Sequence, residues 1–171
     1  MANLVTRTDF EKYVQLAELG TDARTLDVHV LNAQNIDVKQ AIGNILFTDI
    51  EANTSSYTDL LNGGVYTYEG KDYSFEGLKA AIVMFAMARR RIASGAIDSP
   101  WGMVQKTSEF SQPVSSATRQ QQVDEARSIA MAYLNECILF LKRNATDYPL
   151  FTNCCEESSG STVRISPISR I

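Results

Sequence analysis

Apolar residues recur at helical spacing along most of this chain, and they predict a mainly α protein. Phe10, Tyr13, Val14 and Ala17 share one face of a first helix, which Thr8-Asp9-Phe10-Glu11 opens as a capping box and Gly20 can end. A second amphipathic segment runs from about Thr25 to Ile42, with Gly43 behind it. Its apolar positions are irregular around Asn35, which leaves room for two shorter helices. Leu46 to Leu61 reads as another helical region, interrupted by the polar run Asn53-Thr54-Ser55-Ser56.

The period then changes. Val65–Tyr68 and Tyr73–Phe75 are short β-prone runs, and Glu69-Gly70-Lys71-Asp72 between them is turn chemistry, with Gly70 free to take positive φ. Alternation puts Tyr66 with Tyr68 on one side of the first strand, and Tyr73 with Phe75 on one side of the second. Gly63-Gly64 lets the chain turn sharply out of the preceding helix. Ser74 can cap the next helix, with Glu76 in its first turn. That helix, Phe75 to about Ala93, is apolar on nearly every side from Leu78 to Ala88, as the buried centre of a bundle would be. It ends in Arg89-Arg90-Arg91, where positive charge suits the helix dipole.

Residues 95–116, rich in Ser, Gly and Pro and holding the single Trp101, read as a loop. A long helix follows from roughly Ala117 to Asn144, about 40 Å at 1.5 Å per residue. Val123, Ala126, Ala130, Tyr133, Cys137 and Leu141 form its main stripe, and Ile129, Ala132 and Phe140 a second. Two stripes imply more than one neighbour, within the chain or across a subunit boundary. After Tyr148-Pro149-Leu150-Phe151 the tail, residues 152–171, is too poor in apolar residues to fold alone, so assembly contacts are what would order it. The expected architecture is a helical bundle of about four to five helices. To it are added one small antiparallel β-hairpin (about residues 65–75), a long C-terminal helix and an extended C-terminal tail. The helical domain spans 1–151 and the tail 152–171.

Composition changes this picture little. The 171 residues are a one-domain length, and 44% hydrophobic with 21% charged residues is ordinary for a globular protein. A net charge of -4 supplies no global basic field for nucleic acid. The longest apolar run, Ala80–Ala88, is far short of the roughly 20 residues of a membrane helix, and the N-terminus lacks an apolar signal core, so cytosolic synthesis is expected. Cys137, Cys154 and Cys155 do not form a disulfide framework, and reduced thiols are expected.

Candidate chemistry is sparse. Gly64 and Gly70-Lys71 suggest a phosphate loop, but five residues separate the glycines where a Walker loop has four. Asp72 stands where Ser or Thr would follow the lysine, and it would repel phosphate. His29 is the only histidine, and nothing near it in sequence supports a triad. Cys154-Cys155 lacks the separation that zinc chelation needs. Asp49 and Glu51, two apart on a helix, point to different faces. No catalytic residue, cofactor site or metal site is therefore assigned, and the protein is expected not to be an enzyme. Arg89, Arg90 and Arg91 are a candidate DNA-facing or helix-end cluster, although their side chains fan around the helix at about 100° each.

Four stretches carry a family resemblance: "LNAQNIDVKQAIG" (31–43), "YTDLLNGGVYTYEGKDYSFEGLKAAIVMFAMAR" (57–89), "SPWGMVQKTSEFSQP" (99–113) and "YLNECILFLKRNATDYPLF" (133–151). In order and content they resemble the head-to-tail connector proteins (adaptor or neck ring) of tailed bacteriophages, of the kind found in crAss-like and related phages of gut Bacteroidales. The resemblance implies a structural virion protein, made in the host cytoplasm and located in the neck. It would form a homo-oligomeric ring, dodecameric to match a portal, that binds the portal protein and other neck or tail proteins. The genome would pass through its lumen with transient non-specific contact, and no membrane is involved. Candidate interface residues are Trp101, Tyr148, Pro149, Phe151, Arg164 and Arg170. The competing reading is a cytosolic helical small-ligand binder or enzyme with a site between helices.

Overall fold

A computed structural model describes residues 3–14, 23–93, 97–99, 102–104 and 115–151. In order, its elements are α1 (Arg7–Tyr13), α2 (Ala23–Asn32), a π-helical segment (Ala33–Val38), α3 (Lys39–Ile42), α4 (Asn44–Ala52), a 3-10 turn (Thr54–Tyr57) and α5 (Thr58–Asn62). They are followed by β1 (Gly64–Tyr68), β2 (Lys71–Phe75), α6 (Leu78–Ala93), β3 (Ile97–Ser99), β4 (Gly102–Val104) and α7 (Ser116–Arg143). The protein is mainly α with a small antiparallel hairpin, as its periodicity implies. The predicted helix end at Gly20, the face position of Ala17 and the tail 152–171 lie outside the described residues.

Helix α6 is the axis. Every residue from Ala80 to Ala88 is buried, and α7 packs along it, with α1, α2, the π segment and α5 around the other sides. Helix α7 presents Val123, Ala126, Ala130, Leu134, Cys137, Phe140 and Leu141 to this core. Tyr133, assigned to the stripe from spacing, is only half-buried, and Leu134 takes the inner position. Of the second stripe, Ile129 and Ala132 face outward while Phe140 is buried.

Several local expectations need correcting. The N-cap of α1 is Thr6 rather than Thr8: the Thr6 backbone N–H and hydroxyl donate to Asp9 Oδ2 at 2.9 and 2.8 Å. The T-x-x-D spacing that begins at Thr6 places the carboxylate at N3, where it reaches back over the first turn. Burial works to raise the Asp9 carboxyl, but the Thr6 hydrogen bonds, then Lys79 and Lys12, together hold it below its ordinary value. A depressed folded-state pKa makes this contribution full above the unfolded value, near 3.9. It is lost as pH falls through the folded one. Asp9→Asn is therefore expected to cost about 1 kcal/mol at neutral pH. Urea midpoints of mutant and wild type should converge as the pH is taken below 3.

The irregularity around Asn35 marks a π-helical turn inside one continuous helical rod, 23–42, rather than a break between two helices. Leu26, Val30, Gln34, Val38 and Ile42 are all buried at a spacing of four. In an α-helix each such step drifts about 40° around the axis. The wider i→i+5 closure of the π segment winds less per residue and takes part of that drift back. It also turns Gln34, fully buried, so that its Oε1 accepts from Leu4 N–H at 3.0 Å. This bond, with Asn3 Nδ2 donating to Asp27 Oδ1 at 2.7 Å, docks the N-terminal arm along α2.

Ser74 does not cap α6. It belongs to β2, and the helix begins three residues after Phe75, behind Gly77 at φ 83°. Glu76 is accordingly outside the helix, where its carboxylate and the Tyr13 hydroxyl lie 3.4 Å apart. Finally, part of the presumed 95–116 loop is a second short antiparallel pair, with Ile97 opposite Val104 and Ser99 opposite Gly102.

Candidate interaction surface

The hairpin is built around its turn. Glu69 and Gly70 have φ of 51° and 73°, the paired positive values of a type I′ connection, whose twist matches the flanking strands. The turn sets the register Tyr68↔Lys71, Tyr66↔Tyr73 and Gly64↔Phe75. Because side chains alternate, that register gathers Tyr66, Tyr68, Tyr73 and Phe75 on a single face. Tyr66 stacks on Tyr73 with centroids 5.6 Å apart and meets Phe75 edge-on at 5.7 Å.

This aromatic face docks on the last turn of α7. Phe140 stacks on Phe75 at 4.4 Å and meets Tyr66 edge-on at 5.0 Å. One turn further on, Arg143 lies over the rings of Tyr73 and Tyr68, its guanidinium carbon 3.9 and 5.3 Å from their centroids, and Nη1 donates to the Tyr66 hydroxyl at 2.8 Å. A cation over aromatic faces is attracted by their quadrupoles, and the directed bond to Tyr66 fixes its position. The cluster continues through Tyr148, edge-on to Phe140 at 5.4 Å, to Tyr57 at 6.0 Å. Tyr57 donates a hydrogen bond to the Asp49 carboxylate, and this, with burial, pushes its phenol up to about 12. Hairpin, helix end and the turn after α7 thus form one aromatic block. The opposite face of the hairpin carries Val65, 74% exposed, with Thr67, Asp72 and Ser74 also open to solvent.

The sequence-derived candidates disperse around this block. Tyr148 is a member of it, and Phe151 packs half-buried against the core, while Pro149 is exposed. Trp101, Arg164 and Arg170 lie outside the described residues. The three arginines at the end of α6 do not act as one surface. Arg89 forms a two-pronged ion pair with Asp37, with Nε to Oδ2 2.9 Å and Nη2 to Oδ1 3.0 Å. Arg91 donates to the Gln122 carbonyl on α7 at 2.7 Å. His29, lowered by burial, also feels the positive charges of Arg90 and Arg89. Cys137 is fully buried, which pushes its thiol up to about 12 and makes it a poor nucleophile at neutral pH.

Arg143 and Phe140 were not singled out as a pair from the sequence. The available signal was weak: a basic residue in the last turn and an aromatic three positions before it on the same face. Neither says that a hairpin some 70 residues earlier will lie there.

The model of a family of unknown function, DUF6712, matches residues 38–161, well over half of the chain. This chain belongs to the DUF6712 family. The matched region opens at the end of the π segment and takes in the hairpin, α6 and all of α7, so the aromatic block lies wholly within what defines a DUF6712 protein. No curated protein matches the chain, and no solved structure does.

Proposed function

We propose that this DUF6712 chain is a structural subunit of the neck of a tailed bacteriophage, forming a ring that joins the portal to the tail and lets the genome pass. The observation that carries the reading is the hairpin locked by Phe75, Phe140 and Arg143 onto the end of a 28-residue helix. The stretch that carries the resemblance to phage connectors more than any other, 61–79, is the one that builds this hairpin and leads into the central helix behind it. A ring requires heterologous contacts, in which one patch meets a different patch on the neighbour. Exposed apolar side chains on separate elements would supply them: Val65 on the outward hairpin face, and Met131 and Leu139, each 48% exposed, on the outer side of α7.

The proposed partners are copies of the same chain, in a dodecamer matched to the portal, together with the portal protein and adjoining neck or tail proteins. DNA in the lumen would make only transient, non-specific contacts. The test is native mass spectrometry and negative-stain imaging of the purified chain, alone and mixed with the portal of the same phage. Closed rings of one stoichiometry that sediment with the portal are expected. A chain that stays monomeric and never joins portal-containing particles would overturn the proposal.

A further inference from the structure

Helix α4 turns Leu46, Phe47 and Ile50 into the core, while its outer side exposes Ile45 and Ala52 among polar neighbours. Asn44, Ile45, Thr48, Asp49 and Ala52 form one wall of a groove of about 440 Å³, and Leu150 forms the other. Ile45 is 63% exposed and Leu150 37% exposed. Asp49 is the one acid among these groove residues, its carboxylate accepting from Asn53 and Tyr57, and the stretch 44–62 also holds Glu51 and Asp59 but no lysine or arginine. Near Leu150, the Tyr148 phenol is raised by burial and then by the charges of Asp59 and Asp147.

The chain beyond the described residues leaves from Phe151, one residue past the groove wall. Its first ten residues, "TNCCEESSGS", are a polar spacer, and the next ten, "TVRISPISRI" (162–171), hold Val163, Ile165, Ile168 and Ile171 with two arginines and no acid. We propose that segment 162–171 docks in the α4 groove of its own chain, its aliphatic side chains covering Ile45 and Leu150 and its arginines drawn to Asp49 and the net negative stretch 44–62.

Length and tether support this occupant. The α4 wall is about 12 Å long, which about four extended residues cover. Ten residues can reach up to about 33–36 Å, ample to return to a groove that starts beside their own origin. A covalent tether of this length makes the docking intramolecular and raises the segment's effective concentration, which favours the chain's own segment over a second copy. Pro167 lacks an N–H, which costs nothing against a helix wall that presents no strand edge. The inference does not depend on the neck-ring reading, since a monomer can dock its own arm.

The experiment uses the full chain with a photo-reactive benzoylphenylalanine in place of Ile45 and, in a second preparation, of Ala52, both exposed positions. Equal amounts of ¹⁵N-labelled and unlabelled chains are mixed, irradiated, digested and sequenced by mass spectrometry. Crosslinks into 162–171 that join only like-labelled peptides are expected, and Arg164→Glu with Arg170→Glu should lower their yield about fivefold with the far-ultraviolet circular dichroism unchanged. Crosslinks to other segments only, none at all, labelled–unlabelled pairs, or a yield indifferent to the charge reversal would each overturn the proposal.

Discussion

Replacing Gly77 by alanine is expected to destabilise the protein by about 3 kcal/mol or more, among the largest losses available to a single substitution here. Two causes add. Gly77 sits at φ 83°, where a Cβ costs about 1–2 kcal/mol on its own. In addition, that Cβ would come within 2.3 Å of the Gly63 nitrogen and 2.6 Å of the Leu61 carbonyl oxygen. Both are backbone atoms and no side chain can rotate away, so the strands must separate where they leave α5 and enter α6. Gly63→Ala meets the same obstruction from the other side, 2.3 Å from the Phe75 carbonyl oxygen. The control is Gly70→Ala: it also has φ 73°, but nothing lies within 4 Å of the added carbon. It should cost only about 1 kcal/mol. Urea denaturation of the three variants checks this, and equal losses would refute the steric part of the argument.

Phe140→Ala is expected to cost about 3–4 kcal/mol, the usual range for deleting a buried phenylalanine ring. Phe140 is only 6% exposed and touches Phe75, Tyr66 and Tyr148, so its removal opens a cavity at the joint between hairpin and helix. The hairpin should loosen before the helices melt, because two isolated strands are marginal without a surface to pack on. Amide hydrogen exchange in residues 64–75 should therefore accelerate more than exchange in α6. Uniform acceleration across both would mean that the hairpin is not held chiefly through this ring.

The two variants separate what could be read locally from what could not. The hairpin was legible because Glu69-Gly70 between alternating aromatics is a strong turn signal, and each strand's alternation follows from its own residues. Helix α6 was legible because an uninterrupted apolar run has nowhere to lie except inside. The cap of α1 was misplaced by two residues because Thr6 and Thr8 offer the same chemistry, and only the path of the arm through Leu4 and Val5 selects between them. The start of α6 was misplaced because Ser74 is a good cap in isolation, whereas pairing with Val65 keeps it in the ladder. The irregular spacing around Asn35 was visible, but its meaning was not: the π turn answers to Leu4, thirty residues before Gln34.

By itself, then, the sequence determined the kinds of element, the turn between the strands, and the identity of the central helix. These follow from conformational preferences and hydrophobic periods that act within a few residues. The tertiary structure alone decided that four aromatic side chains from two strands face Phe140 and Arg143, that Arg89 spends its charge on Asp37, and that Gly63 and Gly77 leave no room for a side chain between them. The partners in these contacts stand 77, 52 and 14 residues apart. No periodic pattern spans such separations, and they are set by which surfaces close-pack once the helices assemble.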